Sequence, residues 1–176
     1  DGGKTFAKLG AGESVVLLPA DVSAKLVAEY RSRKVWNLDE ARVDSIEVDW
    51  AGKKFKLARQ GTGWEDPAAP KDTVNDKAVS ELLTALGALK ADRWAAEDAK
   101  KAGLEKPAST ITLSLRDKTT RVVLLGSAVD GKKLYARAGD SNAEVFILGE
   151  EVAAKLTRER GAYVEKAEKK DEKKGE

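Results

Sequence analysis

The stretch Ser45-Ile-Glu-Val-Asp-Trp-Ala-Gly-Lys-Lys-Phe-Lys-Leu57 alternates apolar with polar or charged side chains on both sides of Ala51-Gly52. A period of two is typical of a β-strand, and a two-residue loop ending in glycine predicts a tight hairpin. The register then pairs Asp49 with Lys54, Glu47 with Lys56, Val48 with Phe55 and Ile46 with Leu57. Opposite charges meet on one face and apolar groups on the other, which supports this register. Alanine is not ideal at the first loop position, so a bulged turn is the alternative.

The rest of the chain shows the same kind of pattern. Further strands are predicted over 5–9, 14–18, 109–116, 119–126, 133–138 and 143–148, with a short one around Trp64. Helices are predicted over about 20–33, over about 74–90 after a Thr73-x-x-Asp76 capping box, and from about Glu150. The buried stripe of the second helix is Ala78, Val79, Leu82, Leu86 and Leu89. Hairpin connections favour an α+β fold of mainly antiparallel sheets, with helices packed on one face.

The two ends of the chain resemble each other. Residues 143–159 match residues 13–29 in the identity or type of many side chains, and residues 130–137 match residues 1–8 with the spacing changed by one. Two adjoining matches in the same order predict a duplicated unit of roughly 130 residues, with a loop insertion in one copy. A chance likeness between two strand–helix segments is the alternative.

A domain organisation follows from this repeat. We expect residues 1–36 to be the C-terminal part of a preceding unit and residues 37–164 to be one nearly complete unit. Residues 165–176 hold five lysines and five acids and are expected to be a charged tail, disordered or helical. The first residue is not methionine, so we expect the native protein to extend upstream of it.

The amino-acid composition of the chain excludes several kinds of catalytic and metal-binding site. The chain has 176 residues, 32 basic and 30 acidic side chains, and no histidine, cysteine or methionine. Thiol catalysis, disulfides, Cys/His zinc sites and histidine-based triads are therefore excluded. The formal net charge of +2, without a basic stripe, argues against a nucleic-acid partner. No run of about 18 apolar residues is present that would span a bilayer.

The polar residues that might carry chemistry give weak signals. Two glycine pairs are interpreted as turns, because each lacks a third glycine and a following helix: Gly10 with Gly12, and Gly61 with Gly63. One acidic group might act in acid–base catalysis or bind calcium, but it lacks a calcium-loop pattern: Asp92, Glu97 and Asp98. Three serines have no histidine to activate them: Ser14, Ser80 and Ser109. We therefore predict no catalytic, cofactor-binding or metal-binding residue, no cofactor, and no enzymatic activity.

Four of the ten aromatic residues are tryptophans: Trp36, Trp50, Trp64 and Trp94. Trp50 continues the inward-facing alternation of its strand, and the others flank ends of predicted elements. Packing at the core or its rim is the preferred interpretation. The alternative is that exposed indoles stack on sugars, which would make the chain a carbohydrate- or cell-wall-binding module.

The order of several short motifs resembles a known bacterial family. The motifs are the run 37–48, Gly63-Trp64, Pro67-Ala-Ala-Pro70, Ala102-Gly-Leu-Glu-Lys-Pro107, Leu124-Leu-Gly126, Leu134-Tyr-Ala-Arg137 and Glu144-Val-Phe-Ile-Leu148. Together they resemble the family catalogued as "domain of unknown function 4340". The resemblance covers roughly residues 37–160 as one unit, and residues 1–36 resemble the end of the unit before it.

This resemblance implies a function that the residues alone do not. Members of the family usually carry an N-terminal membrane anchor and a repeated extracytoplasmic module, and many are encoded beside ABC transporters of the gliding-motility or auxiliary-transport type. We therefore expect a non-enzymatic interaction or scaffold module, periplasmic or at the cell surface, in a membrane-anchored protein. Transporter subunits are the expected partners, and the membrane is reached only through an anchor outside this chain. The resemblance carries over no catalytic residue and predicts no oligomeric state.

Overall fold

A computed structural model describes residues 5–8, 10, 12, 14–27, 32–139 and 143–167. The chain divides into two compact units, Asp1–Ser32 and Arg33–Glu176. In the first unit, strands β1 (Thr5–Lys8) and β2 (Val15–Leu18) pair antiparallel, and helix α1 (Ala20–Val27) follows them. The first unit is therefore a hairpin followed by a helix.

The second unit is dominated by one sheet. Its strands are β3 (Val43–Trp50), β4 (Lys53–Gln60), β5 (Gly63–Glu65), β6 (Thr73–Val74), β7 (Arg93–Trp94), β8 (Ser109–Leu115), β9 (Thr120–Ala128), β10 (Leu134–Ala138), β11 (Phe146–Leu148) and β12 (Val164–Glu165). Its helices are α2 (Asp76–Gly87) and α3 (Glu150–Leu156), and short 3-10 turns lie at Glu40–Arg42 and Arg160–Ala162.

Eight of these strands form the sheet in the order β5-β4-β3-β8-β9-β10-β11-β7, while β6 pairs with β12. Every neighbouring pair is antiparallel. The predicted α+β class with mainly antiparallel sheets is confirmed. Among the further strands predicted, two differ from their ranges by two residues or more, since β9 continues to Ala128 and β11 begins only at Phe146.

The hairpin of β3 and β4 has the predicted register. Asp49 pairs with Lys54, and the pairing continues through Val48 and Phe55. The loop residues Ala51 and Gly52 have φ angles of 50° and 79°. Positive φ at both positions is what a type I′ turn requires, and Trp50 pairs directly with Lys53, so the bulged alternative is wrong. The Asp49 carboxylate also accepts a hydrogen bond of 3.1 Å from the Gly52 amide.

The main core lies against one set of alternating strand residues. In the central strands the buried members are Val43, Ile46, Val48, Phe55, Leu57, Ile111, Leu113, Leu115, Val123 and Leu125. Helix α2 adds Val79, Leu82 and Leu86 to the same cluster, and α3 adds Ala153 and Leu156. A smaller cluster contains Ala102, Leu104 and Val145. Each large side chain buried in this way contributes about 1.5–3 kcal/mol, so the alternation of the strands is a principal source of stability.

The first predicted helix is too long. Helix α1 is described to Val27, residues 28–31 lie outside the described residues, and at residue 34 the chain is already extended. Lys34 forms a β-bridge with Lys90, and the Val35 amide donates a 3.0 Å hydrogen bond to the Leu89 carbonyl. Pairing with the segment after α2 therefore replaces the helical bonds that the local pattern predicted.

The predicted capping box at Thr73 and Asp76 is also wrong. Asn75 is the N-cap of α2, and its side-chain oxygen accepts a 3.1 Å hydrogen bond from the Ala78 amide. Thr73 belongs to β6 and pairs with Glu165, while the Asp76 carboxylate accepts from the Trp64 amide at 3.2 Å. Thr73 therefore does not cap the helix, because it pairs in a strand with a residue that is distant in the sequence.

Helix α2 also ends earlier than predicted, at Gly87. A Cβ atom at Gly87 would lie 3.0 Å from the Leu38 carbonyl oxygen, so the backbone of the 33–38 segment approaches the helix closely there. Leu89 is buried as predicted, but it lies beyond the helix. Of the predicted tail, Glu165 is in β12 and the Ala167 amide donates to the Asp72 carboxylate at 3.2 Å. Residues 168–176 lie outside the described residues.

The turn of the central hairpin gives a direct stability test. Because Ala51 has a positive φ, Ala51→Asn should raise the free energy of unfolding by about 0.5–1 kcal/mol, since asparagine tolerates this conformation better than alanine. Ala108 is exposed and has a negative φ, so Ala108→Asn is the matched control and should give no gain. Urea denaturation measures both; an equal gain in the two variants would contradict the turn assignment.

Candidate functional site

The three acids considered for catalysis or calcium binding have separate environments. Asp92 forms a 2.7 Å ion pair with Lys133, and the hydrogen bond from Lys133 lowers the pKa of Asp92. Asp98 accepts a 2.8 Å hydrogen bond from the Lys101 amide and so caps a turn. Glu97 has one buried carboxylate oxygen without a hydrogen-bond partner among the described residues. Burial, followed by the charge of Glu97, raises the pKa of Tyr135.

The other candidates from the sequence, the serines and the glycines, do not come together in a site either. Ser109 is buried and its hydroxyl has no hydrogen-bond partner within the described part of the chain, whereas Ser14 and Ser80 are exposed. Gly10 and Gly61 have positive φ angles, as turn glycines do. No group of three acidic side chains that could hold a metal ion occurs among the residues described here.

All four tryptophans are half-buried and pack against the main core, as the preferred interpretation predicted. The Trp36 indole donates a 2.5 Å hydrogen bond to the Leu86 carbonyl. Trp94 meets Phe146 edge to face, with ring centroids 5.9 Å apart. The Arg59 guanidinium lies 4.6 Å from the centre of the Trp64 ring, in a cation–π contact.

Two of these tryptophans line a cleft of about 520 Å3. Trp36 comes from the extended segment before β3, Trp94 from β7, and Phe146 from β11. The cleft is also lined by polar groups, Thr120 and Arg121, where β9 begins. The cleft therefore joins an aromatic wall to a polar rim.

The cleft depends on a close approach of two strands. A Cβ atom at Gly139 would lie 2.4 Å from the Cβ of Val122, so a larger residue would push β9 and β10 apart. The Gly139 amide also donates a 2.6 Å hydrogen bond to the Val122 carbonyl. Both residues line the cleft, and Glu144 completes its rim. Sequence reasoning identified Trp36 and Trp94 individually, but no local motif predicted that they share a cavity.

Arg121 is the basic group of the cleft. Its side chain is exposed, and its guanidinium contacts the Thr120 carbonyl at 3.4 Å. It forms no ion pair within the described ranges of the chain. The guanidinium is thus available to an anionic or polar group entering the cleft.

A second polar cluster is structural. Asp66 is only 2% exposed, and Arg160 donates to its carboxylate through Nε at 2.8 Å and Nη2 at 2.6 Å. The Ala68 amide donates to its other oxygen at 2.9 Å. Arg160 also reaches Asp72 at 3.0 Å, and this hydrogen bond lowers the pKa of Asp72. The cluster ties the loop after β5 to the segment before β12, and no sequence pattern indicated it.

Comparison with known proteins identifies a family. The model of a family described as "Domain of unknown function (DUF4340)" matches residues 1–107 and, separately, residues 73–174. No curated protein and no solved structure matches the chain. Among the helices of the described residues, none has the length and apolar character needed to cross a membrane.

The Arg160 cluster predicts a large, specific effect on stability. Arg160→Gln leaves the Asp66 carboxylate buried without its cation and should lower the free energy of unfolding by about 2–3 kcal/mol, a value reduced for the partial exposure of Arg160. The double variant Asp66→Asn with Arg160→Gln removes both charges and should recover part of the lost stability.

Arg158 provides the control, because it pairs with Glu81 at 2.7 Å and both side chains are about a third exposed or more. Arg158→Gln should therefore cost clearly less than Arg160→Gln in the same chemical denaturation experiment. An equal decrease in the free energy of unfolding in the two variants would show that the buried Asp66 carboxylate does not cause the instability of Arg160→Gln.

Proposed function

The chain belongs to the family of domain of unknown function 4340, and on that premise we propose that it forms part of a non-enzymatic interaction or scaffold module. The module lies outside the cytoplasm, in a membrane-anchored protein that acts beside an ABC transporter. The observation that carries the repeated scaffold is the exposed apolar surface of β1 and β2. The extracytoplasmic location and the transporter partner rest on the properties of the family.

The hairpin of the first unit has the same register as a hairpin of the second. Phe6 pairs with Leu17 where Tyr135 pairs with Ile147. The following pair is Ala7 with Val16 in one hairpin and Ala136 with Phe146 in the other. A helix follows in each case, α1 and α3. Together with the two family matches, this supports a duplicated unit of roughly 130 residues, in which residues 1–36 are the end of a preceding copy.

The two hairpins differ sharply in burial. In the second unit Phe146 and Ile147 are 0% and 1% exposed. Their counterparts in the first unit, Val16 and Leu17, are 53% and 52% exposed, and Phe6 is 67% exposed. In the second unit β9 and β7 pair with the outer edges of the hairpin, and the main core contacts one face.

An exposed apolar face with unpaired edges is a contact surface for other protein segments. Within the described residues, β1 and β2 pair only with each other. We infer that a strand equivalent to β9 and a helix equivalent to α2, from an upstream copy of the unit, cover this hairpin. A row of such units would present a long, repeated surface suited to a scaffold.

The second unit would contribute its outer sheet face to that scaffold. Residues of β8 alternate between buried Ile111 and Leu113 and half-exposed Thr110 and Thr112. Because α2 and α3 share their buried cluster with Ile111 and Leu113, we propose that both helices pack on one face of the sheet. The opposite face is covered near Leu124 by the smaller cluster that contains Ala102 and Leu104, and its part with Thr112 and exposed Glu47 is then left for partners.

A cysteine placed on this face tests location and partner together. The chain has no cysteine, so Glu47→Cys in an otherwise cysteine-free full-length protein gives a single exposed thiol. A membrane-impermeant maleimide should label it in intact cells of the native host. Ser109→Cys is the control, because residue 109 is 1% exposed and its thiol should react only after denaturation.

The same Glu47→Cys protein, carrying a photoreactive maleimide, should capture transporter subunits from membranes, as identified by mass spectrometry. Labelling of Glu47→Cys only after cell lysis would overturn the extracytoplasmic location. Recovery of the protein from the soluble cytosol, without membrane neighbours, would overturn both the anchor and the transporter association.

A further inference from the structure

The cleft bounded by Trp36, Trp94 and Arg121 has no part in the scaffold function proposed above. Its volume of about 520 Å3 lies within the range of about 300–1,000 Å3 that is usual for small-molecule sites.

The aromatic wall of the cleft is held in place. The hydrogen bond from the Trp36 indole to the Leu86 carbonyl fixes one ring, and the edge-to-face contact with Phe146 fixes Trp94. Both tryptophans are half-buried against the main core, so they would not need to be ordered when a ligand arrives. Rigid aromatic surfaces of this kind suit the flat apolar face of a sugar ring.

The polar rim adds directional groups. The Thr120 hydroxyl and the Glu144 carboxylate can accept hydrogen bonds from sugar hydroxyls. Arg121 presents a guanidinium fork without an ion pair in the part of the chain that the structure describes, and this fork matches a carboxylate.

We propose that the cleft binds a saccharide that carries a carboxylate, of the hexuronic acid type, with Arg121 contacting the carboxylate and the tryptophans contacting the ring. A nucleotide fits less well, because its phosphates would face a rim with one arginine and the acidic Glu144. A purely apolar ligand would displace water from the Arg121 guanidinium without giving it a partner. This site gives the carbohydrate-binding alternative a specific location, and it would function whether or not the protein associates with a transporter.

Binding of methyl β-D-glucuronide, followed by tryptophan fluorescence and calorimetry, tests the assignment. The glucuronide should bind saturably and more tightly than methyl β-D-glucoside, which has the same ring without the carboxylate. Arg121→Gln should raise the dissociation constant for the glucuronide about tenfold and leave that for the glucoside nearly unchanged. Arg116 is exposed, pairs with Asp44 and does not line the cleft, so Arg116→Gln is the matched control and should bind like the parent.

A second variant tests the cavity itself. Ala143 lines the cleft, and Ala143→Leu should fill part of it and abolish binding of both sugars. Absence of saturable binding to either sugar would overturn the proposal, as would equal losses in Arg121→Gln and Arg116→Gln. Tighter binding of uridine monophosphate than of the glucuronide, lost in Ala143→Leu, would assign the cleft to a nucleotide instead.

Discussion

The alternation of apolar and charged residues across the β3–β4 hairpin is the constraint on which the rest of the second unit depends. Strand β3 pairs with β4 on one side and β8 on the other, so the sheet grows outward from this hairpin in both directions. A slip of one residue would turn Glu47 and Asp49 toward the core and Ile46 and Val48 toward water. The type I′ turn at Ala51-Gly52 and the charge pairs of the outer face both oppose such a slip.

The parts of the fold that depend on neighbours in sequence could be predicted, and the parts that depend on distant contacts could not. The register of β3 with β4 follows from a turn and from pairs within a few residues of it. The start of α2 did not follow from its sequence, because Thr73 is held by Glu165 in a strand pair. The predicted end of the first helix was wrong for the same reason, because residues 33–38 pair with the segment after α2. Local patterns carry no information about such partners.

The candidate site shows the same limit. Trp36 and Trp94 stood out as rare aromatics, and their packing at the rim of the core was predicted. Their meeting with Arg121 in one cleft was not predicted, because the residues of the wall and rim come from strands and segments that are far apart in the sequence. A glycine that lets β9 and β10 approach, Gly139, has no recognisable sequence motif around it. A site formed by residues that are distant in the sequence can be identified only from the three-dimensional structure.

The repeat proposed above would connect the fold with the proposed scaffold, because the two hairpins have the same register but differ in burial: the side chains of β2 are exposed and those of β11 are buried. If residues 1–36 are the end of a preceding unit, the exposed side chains of β2 are an internal interface of a longer scaffold. Backbone hydrogen exchange measured by mass spectrometry, on this chain and on the full-length protein, tests this most directly. In this chain, segment 15–18 should exchange much faster than segment 146–148. In the full-length protein segment 15–18 should become protected to a similar degree. Equally fast exchange of segment 15–18 in both proteins would contradict the preceding unit.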